Sequence, residues 1–120
     1  MSRYLIGVDV GATKIAAGLV TGSKATHVIT VATPTTNRRD VVAAIVKLLG
    51  VFTHPRVAAV GIGIAGAVDA RRGVVFSSPN LPRDFRNVAL GRILARRVAL
   101  PVAIENDAKC KAANAARRTP

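Results

Sequence analysis

Residues 8–14 read VDVGATK, and their interpretation decides the fold. The apolar run RYLIGVDV (3–10) enters this stretch as a buried strand, and KIAAGLVT (14–21) leaves it as a second. Strands joined by so short a turn pair antiparallel. Between them stand a carboxylate (Asp9), Gly11, Ala12, a hydroxyl (Thr13) and an ammonium (Lys14). A plain hairpin tip would use such residues for solubility. A phosphate and magnesium cradle would use them for chemistry. Gly11 lets backbone amides approach an anion with no Cβ in the way. Asp9 can hold magnesium through water, and Thr13 and Lys14 can reach phosphate oxygens. Both interpretations stand on this stretch alone.

Working outward, Thr21–Lys24 is a turn signal, and THVITVAT (26–33) alternates as a third strand, which completes an antiparallel meander. Pro34 ends it. Thr36 or Asn37 can cap a helix with Asp40 in its first turn, and Val41, Ile45, Leu48 and Phe52 follow at helical spacing. The continuous apolar run VAAVGIGI (57–64) reads as a central strand. Residues 66–78 form an excursion, with a turn through Asp69–Gly73 and a short strand Val74–Phe76. Ser77–Arg83 is a proline-bracketed loop. A second helix is expected from about Asn87 to Val98, a strand at 102–105, and a third helix from Asn106-Asp107 into Arg117-Arg118. The class is α/β: three antiparallel strands, then two parallel strands reached by helical crossovers, in one domain spanning 1–120.

Composition narrows the function. Half of the 120 residues are hydrophobic, with three Phe, one Tyr and no Trp, so the core must be aliphatic. The apolar run 57–70 is too short and too glycine-broken for a membrane span. The N-terminus reads as a strand rather than a leader, and the single Cys110 has no internal disulfide partner. These features lead to the expectation of a cytoplasmic protein without a membrane partner. The net charge of +12 would attract any polyanion. Yet the basic residues are dispersed or paired, and almost no aromatic residue is available for bases to stack on, so nucleic acid is disfavoured as a partner.

Two further constellations could carry chemistry. Glu105-Asn106-Asp107 follows a strand, where ligands gather in open α/β sheets. A carboxylate there can orient a hydroxyl and take its proton, or it can simply cap a helix. GIGIAG (61–66) is followed by Ser78-Pro79-Asn80-Leu81-Pro82. Gly66 lies just past a strand end, and Asn80, held between prolines, can read a sugar hydroxyl or belong to a surface turn. GIGIAG has dinucleotide-fingerprint spacing, but it lies within a strand and opens no helix, so NAD is not indicated. His27 and His54 are isolated, and no zinc-ligand spacing is present.

Together, VDVGATKIAAGLV, VGIGIAGAVDARRGVVFSSPNLP and LPVAIENDAKCKAANA resemble, in that order, the motifs of the ROK family of bacterial sugar kinases and repressors. The resemblance implies the actin-like, ribonuclease H-like ATPase fold. It implies ATP and Mg2+ as cofactors, with Asp9 near magnesium and Gly11, Ala12, Thr13 and Lys14 at the ATP phosphates. Gly66, Asn80, Asn106 and Asp107 would meet the sugar, and Asp107 would be the general base. Many relatives carry a second glycine at the place of Ala12, a proline at Ala65 and an asparagine at Lys109.

The resemblance also implies a second domain of at least similar size. That domain would bring the other phosphate loop, the adenosine pocket, more sugar ligands and a cysteine-bound zinc. None of its motifs is in these residues, so the expectation is the N-terminal half of a glucokinase-like kinase. Such a half would be inactive alone and would work with the remaining domain or a separate partner half, with room for a homodimer. A non-catalytic sugar-binding or regulatory half-domain is the alternative, and a basic nucleic-acid-binding module is a further one.

Overall fold

Strand β1 (Tyr4–Val10) pairs antiparallel with β2 (Lys14–Thr21), which pairs antiparallel with β3 (Lys24–Ala32). The computed structural model describes residues 3–106. Helix α1 (Arg38–Phe52) then carries the chain back to β4 (Val57–Ile64), parallel to β1. Helix α2 (Leu90–Val98) leads to β8 (Val102–Asn106), parallel to β4. The five-stranded sheet has the order β3-β2-β1-β4-β8. The expected mixed sheet, three antiparallel strands followed by two parallel ones, is therefore what forms.

Side-chain alternation explains why the helices share one face. Register places Ile6, Val8 and Val10 beside Val60, Ile62 and Ile64, and Ile62 beside Ile104. These side chains form one cluster with Val41, Ile45, Leu48, Leu49 and Phe52 of α1 and Leu90 and Leu94 of α2. Each fully buried aliphatic side chain contributes about 1.5–3 kcal/mol of transfer free energy. The opposite face is built differently. Gly7, Gly61 and Ala103 share one row across it, and Ala16, Asp9, Gly63 and Glu105 share the next. Leu5, in the middle strand, stays 39% exposed.

Asn37 is the cap of α1: its Oδ1 accepts from the Asp40 N–H at 2.8 Å. Thr36 instead donates its hydroxyl to the Asp40 carboxylate. At the far end of α2, Ala99 adopts the left-handed conformation and donates its N–H to Ala95 O at 2.9 Å. Edge strand β3 carries a register shift opposite Ala17–Leu19, and exposed His27 there takes φ +57°.

Two expectations need correction. The excursion is a second sheet, β5 (Ala67–Asp69), β6 (Val74–Ser77) and β7 (Arg86–Val88), all antiparallel. Consequently α2 begins at Leu90 and not at Asn87. Val88 pairs with Val75, and Asn87 takes φ +53°, which a helix does not admit. Asn106 closes β8 opposite Ile64. The expected third helix lies outside the described residues. No helix among them is long and apolar enough to cross a membrane.

Candidate functional site

The parallel strands β1, β4 and β8 end along one edge of the sheet, and most of the singled-out residues gather there. Asp9, Gly63 and Glu105 stand in register on three adjacent strands. At about 4.8 Å per strand spacing, the two carboxylate-bearing backbones are roughly 10 Å apart on the same face. Gly63 between them has no side chain, so nothing from the middle strand fills the gap.

Residues 11–13 join β1 to β2 at this edge. The Gly11 N–H donates to Lys14 O at 3.0 Å, which closes the turn. A Cβ on Gly11 would meet that same carbonyl at 3.0 Å, so what disfavours a side chain here is close approach rather than an unusual φ. Ala12 is not among the residues of positive φ, so its methyl group is accommodated in the turn. Ala12, Thr13 and Lys14 are exposed at the tip.

What holds this tip was not legible from its own residues. Thr33, just beyond β3 and only 6% exposed, donates its hydroxyl to Gly11 O at 2.8 Å and its N–H to Thr13 O at 3.0 Å. The available signal was a threonine directly before Pro34, at the end of an alternating strand. Thr33→Val keeps the shape and removes the hydroxyl, leaving the Gly11 carbonyl short of a donor. We expect a loss of about 1–2 kcal/mol, read as a lower urea midpoint at unchanged m-value.

The second half of the edge is a knot of three segments. Gly66 has φ +127°, and a Cβ there would lie 2.2 Å from Ser77 O and 2.9 Å from Ser78 Cα. Ser78, 8% exposed, donates its hydroxyl to Ala65 O at 2.7 Å. Asn106 donates its side-chain amide to Gly66 O at 3.2 Å. The end of β4, the start of the proline loop and the end of β8 are thereby tied together.

From this knot the loop runs through a turn in which the Leu81 N–H donates to Ser78 O at 3.3 Å. Pro79 and Asn80 are its central pair, with proline at the position where its fixed φ suits the turn. Leu81 and Phe85 are buried, at 9% and 1% exposure, and anchor the loop while Asn80 stays exposed. Ser78 is therefore a second supporting residue that motif reading passed over. Asp107 lies outside the described residues and follows Asn106 directly in the chain.

An α/β domain whose hydroxyl, ammonium, amide and carboxylate groups converge at the carboxyl ends of parallel strands belongs to the class that binds ligands at that edge. The particular family follows from comparison. The ROK family model matches residues 5–117, and the chain belongs to the ROK family, whose kinases have the actin-like ATPase fold. The glucokinase of Streptomyces coelicolor is 43% identical over 110 residues, which cover 89% of this chain and 33% of that protein. A ROK glucokinase from Streptomyces griseus, solved with glucose and AMPPNP, superposes with TM-score 0.78 at 42% identity, over 88% of this chain and 33% of that one. The ROK hexokinase of Thermus thermophilus gives 0.79 at 34% identity, over 88% and 36%. The chain thus spans about a third of the length of the curated glucokinases it matches.

Proposed function

We propose that this chain is the N-terminal domain of an ATP-dependent hexose kinase of the glucokinase type. The observation that carries the reading is the convergence, on one sheet edge, of the Gly11–Lys14 hairpin with the knot joining Gly66, Ser78 and Asn106. The glucose and ATP analogue held by the Streptomyces griseus relative agree with it.

In this reading the Lys14 ammonium and Thr13 hydroxyl meet phosphate oxygens at the exposed hairpin tip. Gly66 and Asn80 border the sugar. The Asn106 amide, donating to Gly66 O, holds the sugar-facing wall in shape. Asp107 takes the proton of the attacking sugar hydroxyl while the γ-phosphoryl passes to that oxygen and ADP leaves. The donor set suits magnesium, which keeps several waters and uses one or two carboxylates together with substrate phosphates. Half-buried Asp9 beside the hairpin is such a carboxylate. The ion would neutralise charge developing on the transferred group. A cytoplasmic setting belongs to the same reading.

Phosphoryl transfer depends mainly on positioning and charge stabilisation, and a single wall supplies too little of either. The test is a chimera in which residues 1–120 replace the corresponding third of the Streptomyces coelicolor glucokinase. In a coupled assay with ATP, magnesium and glucose, the chimera should turn over and the 120-residue chain alone should not. A folded chimera that is inactive beside its active parent defeats the proposal and favours a non-catalytic half-domain.

A further inference from the structure

The edge described above engages few of the arginines that make this chain so basic. Three of them gather elsewhere. Arg38 and Arg39 in the first turn of α1 and Arg97 near the end of α2 rim a groove of about 580 Å³. Its floor includes Val42, Val88 and Ile93, and no carboxylate is among its described lining residues. None of the candidate phosphate or sugar residues lines it either.

We infer that this groove docks an acidic, amphipathic segment of a partner protein. Three arginines border one depression, and the positive charge gathered there favours an anionic occupant. The anion is not captured by the helix end itself, because Asp84 already accepts from the Arg38 N–H at 2.8 Å. The side chains must therefore do the work, and arginine suits bidentate pairing with carboxylates. The floor decides the class of occupant. An apolar centre with a charged rim is the anatomy of a protein–protein contact. A nucleic-acid strand would need aromatic faces for its bases, and no aromatic residue is among the described residues lining the groove. A small inorganic anion would leave the valine and isoleucine surface wet. The occupant thus presents carboxylates to the rim and aliphatic side chains to the floor. The inference is independent of phosphoryl transfer.

The test is fluorescence anisotropy with a labelled peptide of alternating Leu-Leu and Glu-Glu pairs, its Glu→Gln counterpart and oligothymidylate. The 120-residue chain should prefer the glutamate peptide to the glutamine one. The triple variant R38Q/R39Q/R97Q should weaken binding by about tenfold or more. Ala43→Glu, at an exposed helical position in the groove wall, should do the same by placing a carboxylate against the ligand. The charge-matched control R3Q/R71Q/R72Q should stay within about twofold. Circular dichroism checks that each variant is folded. Equal losses in both triples would mean diffuse attraction and overturn the inference. So would indifference to Glu against Gln, or oligothymidylate binding with the same sensitivity to the groove variants.

Discussion

Asp107→Asn should lower kcat by roughly 100- to 10,000-fold in the glucokinase chimera, the usual span for removal of a general base. Asparagine cannot accept the proton of the sugar hydroxyl. Its amide oxygen can still accept a hydrogen bond from that hydroxyl, so the sugar KM should move far less than kcat. The opposing interpretation is purely structural: a carboxylate that caps a helix. Asparagine caps about as well as aspartate, so that role forecasts almost no change in either activity or melting temperature. Measuring kcat and thermal stability on the same preparation separates the two. Activity preserved within a few-fold in a folded protein would remove Asp107 from the chemistry.

Gly66→Ala should be the most damaging single-methyl substitution along the site edge. The added Cβ would sit 2.2 Å from Ser77 O at a φ of +127°. Both obstacles are backbone, so no flexible side chain can swing aside. Left-handed strain alone costs about 1–3 kcal/mol, and separating Gly66 from Ser77 also pulls on the Ser78–Ala65 and Asn106–Gly66 hydrogen bonds. We expect about 3 kcal/mol or more in urea unfolding, within the range of mutations that break a special backbone position. In the chimera the sugar KM should rise, because the loop bearing Asn80 departs from the same two segments. Unchanged stability would mean that the close approach is not a constraint. Gly50→Ala in α1 provides the control, since a Cβ there meets nothing within 4 Å.

Most of the main sheet was legible because its signals are local. Apolar runs at 3–10, 14–21 and 57–64 are strands wherever they pack, and short turns compel the first pairings. Asn37, Asp40 and the apolar positions after them state a helix start by themselves. The errors fell where a distant partner overrode local preference. Residues 87 and 88 read as the start of a helix, and pairing with β6 made them part of a strand. Thr33 and Ser78 look unremarkable in the chain, because their importance lies in carbonyls contributed by Gly11 and Ala65.

The sequence by itself determined the class of fold, the hairpin that turns between Val10 and Lys14 and the order of motifs that marks the family. Periodicity, capping and turn residues act over a few positions, so they can be read without knowing where the chain goes. Tertiary structure alone decided which of those groups meet. Register aligns Asp9, Gly63 and Glu105 on three strands far apart in sequence. The Asn106 amide reaches a carbonyl 40 residues away at Gly66. Such contacts depend on how one buried face settles against another across the whole core, and no short stretch of residues encodes that.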